Sequence, residues 1–376
     1  MGRSTTRGAG AGEGNSAEVG FGGGGWLEFI GGGHGIAAED SRGPRGRPGT
    51  AAVPGGGGGP GGRRSRAIPI MVGIVMVVFL VLAGCGGREG SVVTMYCSQD
   101  QPFAEGILAD FTRETGIGVR AVYDSEATKT VGLANRLLAE KASPRADLFW
   151  SNEEMRVRQL ARAGVFGPHA IRAGGAAWET FGRRTRRLVV MASMPGPDRP
   201  RSLRELVEPR WKGRVSLALP FFGTTSTHFH ALRARWGRER FESWCRALVA
   251  NQPFLEDGNS AVVRRVGRGE AWVGLTDSDD IRVARAGGLS VEALDVEEDM
   301  IAIPNAVALV GPAPADSLAR RLAGYLTSEA VRERLVGAGA LDAATGWEWG
   351  GFEPDWDVVL RDLVPATRWM EETFRR

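Results

Sequence analysis

Short apolar segments alternate with amphipathic segments along the chain from residue 91 onward. Residues 91–96 and 118–123 are short runs rich in β-branched and apolar side chains, which is typical of buried strands. Between them, Phe103, Ile107 and Phe111 recur at the spacing of one helix face. The repeated order of strand and helix predicts an α/β fold built on a parallel sheet.

This alternation occurs in two blocks, which two extended segments near 189–192 and 301–310 connect. We therefore predict two α/β lobes joined by a two-segment hinge. The first lobe is predicted to comprise 91–188 and to be completed by 306–376, and the second lobe is predicted to comprise 189–305. Each lobe has a typical domain size.

The stretch 63–85 has the parts of a secretory signal. It begins with three arginines, continues as an uncharged apolar run to Leu82 and ends in small residues before Cys85. Its last residues, LAGC, resemble the lipobox of bacterial lipoproteins, where the peptide is cut before the cysteine and the thiol takes a lipid. The alternative is a transmembrane helix, for which the run is only marginally long, since a bilayer core needs ~20 apolar residues. We predict a lipoprotein signal peptide, lipidated at Cys85, with the mature chain anchored outside the cytoplasmic membrane, in the periplasm or at the cell surface.

Residues 1–62 are dominated by glycine, proline and arginine, with runs such as 55–59. This composition predicts a disordered leader without a core. A signal peptide behind such a leader would be unusual. We therefore expect translation to start nearer the apolar run, at Met71 or at a codon just upstream.

The predicted mature chain has balanced charge. Eight of the 47 basic and five of the 44 acidic residues precede Cys85, which leaves 39 of each. Nucleic-acid binders usually carry a basic excess, so no nucleic-acid partner is expected. Cys97 and Cys245 have the option of pairing in an oxidising compartment, but two buried free thiols are the favoured interpretation.

Polar turns follow most of the predicted strands or open the predicted helices. In open α/β sheets, ligands bind just beyond the carboxyl ends of the strands. The sequence therefore predicts that solute contacts come from these turns. The candidate binding residues are Ser98, Gln99, Asp100, Asn152, Glu153, Thr224, Thr225, Ser226, Asn259, Ser260, Asp277 and Asp279.

Two of these turns leave alternatives open. The hydroxyls of 224–226 at a helix start suit an anion, or they are simple N-caps. Asp277 and Asp279 suit a cation or an amine, or they complement the dipole of a first helical turn. His228 and His230 lie two apart on a helix and are interpreted as structural.

Enzyme motifs are absent from the sequence: it has no G-x-S-x-G, no H-E-x-x-H, no Walker loop and no C-x-x-C. The sequence therefore favours binding without catalysis and without a resident cofactor. A secreted hydrolase that uses the same carboxylates stays open as an alternative.

Several segments together resemble the extracellular solute-binding proteins of ABC importers, and in particular the ferric-iron-type group. The resemblance covers about 91–340 and implies a type II periplasmic-binding-protein fold, in which two lobes close over a solute. It also implies a membrane permease and an ATPase as partners of a monomeric binding protein. The segments that carry it are 96–100, 114–117, 122–133, 146–152, 211–215, 222–225, 257–260, 273–280 and 303–310.

The resemblance also implies a ligand set. Ferric-type members place a histidine after the first strand, a glutamate after the third and an adjacent tyrosine pair in the second lobe. The matching positions here are Asp100, Asn152 or Glu153, and the stretch 276–280, which reads TDSDD. Carboxylates are hard oxygen donors and suit iron(III) or another metal held with an anion. The predicted metal ligands are therefore Asp100, Asp277 and Asp279, and an organic amine, a zwitterion or an organophosphate is the alternative solute.

Overall fold

The computed structural model describes residues 91–124, 130–311, 313–314, 316–342 and 350–375. The predicted leader, the signal peptide and Cys85 lie outside these residues. Among the helices that the structure describes, none has the length and apolar character needed to cross a bilayer. Cys97 and Cys245 are both buried, and no disulfide joins them, as the sequence favoured.

The first half of the fold alternates strands and helices as predicted. Helix α1 (Gln101–Thr115) has a proline in its first turn, and Gly116 caps its C-terminal end. The positive φ of Gly116, 71°, suits glycine, and its N–H donates to the Thr112 carbonyl. The apolar face of α1 packs on the sheet through Ile107 and Phe111. The elements are β1 (Val92–Cys97), α1 (Gln101–Thr115), β2 (Gly118–Tyr123), α2 (Val131–Ala139), β3 (Leu148–Ser151) and α3 (Met155–Arg162).

The second half repeats this organisation around a second set of parallel strands. Short 3₁₀ helices at Gly196–Asp198, Leu203–Val207 and Pro209–Trp211 precede β5. The elements are β4 (Trp178–Met191), β5 (Val215–Ala218), α4 (Gly223–Trp236), α5 (Arg238–Ala250), β6 (Phe254–Glu256), α6 (Asn259–Gly267), β7 (Val273–Asp277), α7 (Ser278–Ala286), β8 (Val291–Ala293), β9 (Ala302–Leu309), α8 (Leu318–Leu326), α9 (Glu329–Gly337) and α10 (Trp356–Phe374).

Two long strands connect the halves. The described strands follow the order β2-β1-β3-β9-β4-β7-β5-β6, with β8 paired to β4. Strand β4 pairs with β9 up to Thr185 and with β7 from Arg186 onward. The fold is therefore two α/β lobes linked by two chain segments, as predicted, and the exact lobe boundaries stay a prediction.

Strand β4 is longer than its apolar pattern indicates. The pattern predicts a strand over 187–192, whereas the observed strand begins at Trp178. Its first part is polar and arginine-rich, but Arg184 and Thr185 are buried because β4 lies between β9 and β7 in the middle of the sheet. Tertiary pairing outweighs local composition here.

The C-terminal helix α10 packs on both lobes. Met370 and Phe374 belong to the core around Phe229, whereas Val359 packs on Met155. The assignment of 306–376 to the first lobe stays a prediction. Helix α10, which is part of this range, contacts residues of both lobes.

Candidate functional site

The polar turns of both halves meet at one cleft, which encloses a cavity of about 40 Å³ and is partly open to solvent. Strands β1 and β3 are parallel, as are β5, β6 and β7, so the turns after them gather at the carboxyl edges of their sheets. Contact with a solute stays a prediction for each of the residues that the sequence indicated. Those that line the cleft are Asp100, Asn152, Thr224, Thr225, Asn259, Asp277 and Asp279.

Asp277, the last residue of β7, is surrounded by donors. Its Oδ1 accepts a hydrogen bond from Nη1 of Arg186 at 2.6 Å. Its Oδ2 accepts from Oγ1 of Thr224 at 2.6 Å and from Nδ2 of Asn259 at 3.1 Å, and Nε of Arg184 lies 3.3 Å away. Burial alone would raise the pKa of this carboxyl, but the two arginines and the hydroxyl outweigh it and hold the pKa below its ordinary value. Asp277 is an ionised anchor whose oxygens are already hydrogen-bonded.

Asp279, in the first turn of α7, has a different environment. The residue is 5% exposed, and its Oδ2 lies 3.4 Å from Nε of Arg184. Its Oδ1 is buried and has no hydrogen-bond partner among the described residues. Burial raises the pKa of Asp279, Arg184 opposes the rise, and the charges of Asp277 and Asp100 add to it. This oxygen is available to a cation or to a donor on a solute.

The carboxylates of the cleft outnumber its cations. One oxygen from each of Asp277, Asp279 and Asp280 lies within 4.8 Å of the others. Asp100 from the first lobe and Asp257 from the second line the same cleft. Against these five acids, Arg184 lines the cleft and Arg186 bonds Asp277 from behind it. By charge, a lining with an excess of acids is complementary to positively charged solutes.

The sequence did not predict two charged residues at the site, namely Arg184 and Arg186. They lie two apart on β4 and therefore share one face of the strand. Their side chains are 3% and 0% exposed and pair with Asp277. The signal that could have found them is the period-two arginine pattern in 183–187, which reads RRTRR and becomes informative once β4 is extended to Trp178.

Gln99 and Asn305 connect the first lobe to these arginines. Nη1 of Arg184 donates to Oδ1 of Asn305 at 3.3 Å, and Nδ2 of Asn305 donates to Oε1 of Gln99 at 3.0 Å. Gln99 is thus behind the cleft and not on its lining. In the sequence, Asn305 interrupts an apolar run. In the structure, β9 continues through Asn305, which pairs with Phe181 of β4 next to a shift in the register of the two strands.

The threonines at the start of α4 are not helix caps. The N-cap of α4 is Phe222, and no side chain caps the helix. Thr224 donates to Asp277, and Thr225 donates to Oδ1 of Asn259 at 3.2 Å. The N-cap interpretation is therefore wrong for these two hydroxyls. Ser226 is fully buried and its Oγ has no partner among the described residues, so it is not on the cleft lining.

Glu153 also lies away from the cleft lining. Its carboxylate accepts hydrogen bonds from the backbone N–H groups of Met155 and Arg156 and from Oγ1 of Thr227 at 3.0 Å. Burial raises its pKa, and the adjacent Arg156 opposes the rise. Asn152 lines the cleft instead and accepts from Thr130 at 3.2 Å. The structure therefore places Asn152, rather than Glu153, on the cleft after the third strand.

The two remaining predicted residues, Ser98 and Ser260, also lie away from the cleft lining. Ser98 is 2% exposed and bonds the Trp150 carbonyl through its backbone, and Ser260 lies in the first turn of α6. His228 and His230 are buried and bond the Asp299 carbonyl and the Thr367 hydroxyl, in line with a structural role.

The chain matches the family described as "Bacterial extracellular solute-binding protein" over residues 93–340. It is 24% identical to "Iron uptake protein A1" of Synechocystis sp. over 239 residues, which is 57% of this chain and 65% of that protein. It is 26% identical to "Fe(3+)-binding periplasmic protein" of Serratia marcescens over 196 residues, or 49% of this chain and 56% of that protein. The matched part thus spans less than two thirds of either relative.

The fold is similar to that of iron-bound HitA from Pseudomonas aeruginosa, with a TM-score of 0.64 and 20% identity. The likeness covers 75% of this chain and 99% of that structure. At this identity it bears on the fold alone. It confirms the predicted type II periplasmic-binding-protein architecture.

Proposed function

Because the chain belongs to the family of bacterial extracellular solute-binding proteins, we propose that it captures a small cationic solute and delivers it to an ABC permease with its ATPase. Iron(III), or another hard metal ion held with an anion, is the solute that we place first. The names of the two relatives support this choice, since both refer to iron. A lipid on Cys85 would keep a monomeric binding protein at the outer face of the cytoplasmic membrane.

One observation carries the proposal, namely the unpartnered Oδ1 of Asp279 in a cleft with an excess of carboxylates. Oxygen ligands suit iron(III) and other hard cations. Asp277 already bonds four donors, so the oxygens that would bind the metal belong to Asp279, Asp280 and Asp100. Asp100 is on the first lobe, and closure of the lobes would bring it toward the other two.

The start of α4 supports a companion anion. The first N–H groups of a helix have no partner within it, and no side chain caps α4. Gly223, Thr224 and Thr225 line the cleft beside the acids. An anion there would complete the shell of a metal and offset part of its charge.

Carboxylates would be the metal ligands in this site, where ferric-type members have the phenolates of a tyrosine pair. The tyrosines of the described chain are Tyr96, Tyr123 and Tyr325, and none lines the cleft. Tyr96 bonds Glu140, and Tyr325 packs on Phe111. The proposed iron site is therefore a carboxylate site.

An organic amine or a zwitterion is the second candidate. Ala218, Leu219 and Phe222 form an apolar part of the cleft wall beside the acids. An ammonium on the carboxylates with its organic part on this wall would satisfy both surfaces, and an anionic end, such as a phosphate, would suit the start of α4. Members of the family are transport binding proteins, and we propose binding without turnover for this chain as well.

Calorimetric titration of the full chain tests the proposal. The titrants are iron(III) with citrate, iron(III) with carbonate, citrate alone and a panel of primary amines. The charge-assisted contact that Asp279→Asn removes is worth about 1.5–3 kcal/mol, so affinity for the cation should fall roughly tenfold to a hundredfold. Asp295→Asn is the matched control, since it removes an exposed carboxylate away from the cleft.

The outcomes separate the candidates. Binding of iron that Asp279→Asn weakens and Asp295→Asn leaves unchanged supports the metal site. Binding of an amine with the same pattern moves the assignment to the second candidate. Equal affinities of Asp279→Asn and the unsubstituted chain for every cation would refute the carboxylate site.

A further inference from the structure

Asp342, in the segment after α9, bonds the residues at the start of α7. Its Oδ1 accepts a hydrogen bond from Oγ of Ser278 at 2.7 Å, and its Oδ2 accepts from Oγ1 of Thr185 at 2.8 Å. Its Oδ1 also pairs with Nη1 of Arg282. We call Asp342, Ser278, Thr185 and Arg282 the Asp342 clasp. The clasp gives this carboxylate three partners, one on β4 and two on α7.

The clasp joins the two lobes. Ala340 and Leu341, directly before Asp342, are buried in the core of the first lobe with Met95 and Leu148. The backbone N–H of Asp342 also donates to the Arg183 carbonyl at 2.7 Å. In contrast, α7 packs on β4, β7 and β8 of the second lobe. Asp342 is therefore held by one lobe and bonds a helix of the other.

The helix that it bonds carries the candidate ligands. Ser278 is the first residue of α7, and its Oγ also accepts the backbone N–H of Thr185 at 3.1 Å. Asp279 and Asp280 follow directly. The Ser278 hydroxyl is thus hydrogen-bonded to both Asp342 and Thr185. These two bonds limit the rotation of the first turn of α7 and so fix the direction of the two carboxylates that follow.

Arg282 adds an electrostatic effect. Its Nε and Nη2 donate to the Gly339 carbonyl at 3.0 and 2.8 Å, and Asp342 balances its charge. Without Asp342, this guanidinium, three residues along α7 from Asp279, would lose its carboxylate partner.

We propose that Asp342 is a positioning residue for cation binding, which holds Asp279 and Asp280 in a geometry that a cation can bridge and ties that geometry to the arrangement of the lobes. The inference rests on the proposed function. Its physical basis is the dependence of metal sites on groups that orient the ligands without touching the metal.

Terbium(III) luminescence on the full chain tests the inference. Terbium(III) is a hard, oxygen-seeking ion, and its emission lifetimes in water and in deuterium oxide report how many water molecules stay on the bound metal. Asp342→Asn should weaken terbium affinity about tenfold, as loss of an orienting partner does, and should raise the number of bound waters. Asp316→Asn is the control, since it removes an exposed carboxylate in the same C-terminal part of the chain.

Ser278→Ala provides a second variant in case Asp342→Asn fails to fold. It removes one hydrogen bond of the clasp and leaves Asp342 and Arg282 paired, so it should shift affinity and hydration in the same direction by a smaller factor. A purely structural role would lower the melting temperature and leave the number of bound waters unchanged, which would overturn the inference.

The test also distinguishes the inference from the proposed function. If Asp279→Asn abolishes terbium binding while Asp342→Asn and Ser278→Ala bind it as the unsubstituted chain does, the inference alone fails. If the unsubstituted chain does not bind terbium or iron, the metal site fails and the inference fails with it.

Discussion

Two neutral histidines inside the fold should make a contribution to stability that is lost in mild acid. His228 and His230 are 0% and 2% exposed. Burial lowers the pKa of each to about 3, and nearby arginines, Arg186 for His228 and Arg156 for His230, add to the effect. In the unfolded chain an imidazole titrates near its ordinary pKa of about 6.5. Between these two pKa values, the unfolded state therefore binds protons that the native state does not.

The sign and the size follow from proton linkage. Because these two imidazoles bind protons in the unfolded chain but not in the native one, their contribution to the free energy of unfolding falls as the pH falls through 6.5 toward 3. From pH 7 to pH 5, the linkage for one such histidine amounts to about 2 kcal/mol, and for the pair to about 4 kcal/mol. This is a large part of the ~5–15 kcal/mol by which native proteins are stable.

Urea unfolding of the full chain at pH 7 and pH 5 measures the effect. His228→Gln and His230→Gln keep a polar group that can reach the Asp299 carbonyl and the Thr367 hydroxyl but cannot take up a proton in this range. The double variant should lose about 4 kcal/mol less than the unsubstituted chain between the two pH values. His169→Gln, at a half-buried position outside this core, is the control. An equal loss in the double variant and the unsubstituted chain would refute the reasoning.

Two further predictions concern the Arg186–Asp277 ion pair behind the cleft and the predicted lipid anchor at Cys85. Arg186→Met leaves Asp277 buried without its closest cation, so the free energy of unfolding should fall by about 3–5 kcal/mol. Arg210→Met is the control: this side chain is 44% exposed, and its loss should change the free energy of unfolding by less than about 1 kcal/mol. Urea unfolding of both variants checks this, and similar losses in the two would contradict it. Cys85→Ser should leave the precursor uncleaved and unable to incorporate radiolabelled fatty acid, and label on the serine variant would exclude Cys85 as the lipid attachment site.

The strand and helix pattern and the polar turns that line the cleft were predictable because their signals are local. Apolar periodicity identifies β1, α1 and β2 from neighbouring residues alone. The rule that ligands lie beyond the carboxyl ends of strands then selects the turn after each strand. That reasoning reached Asp100, Asn152 and Asp279 without knowledge of which strands are neighbours.

The arginines and the clasp depend on pairing across long separations. Arg186 and Asp277 are 91 residues apart, and Arg184 and Asn305 are 121 apart. Nothing local indicates that the polar start of β4 is a central strand, since its neighbours β9 and β7 come from much later in the chain. Asp342 likewise has its partners 64 and 157 residues away.

The order of residues alone therefore established the kinds of element, their sequence and the chemical character of the turns, because these follow from backbone preferences and from burial periodicity. Only the folded chain decided which carboxylates are already hydrogen-bonded and which are available. Asp277 and Asp279 are two residues apart and identical in type, yet one has four donors and the other has an oxygen with none among the described residues. That difference arises from the order of the strands, which places Arg184 and Arg186 beside Asp277 but, of the two, only Arg184 beside Asp279.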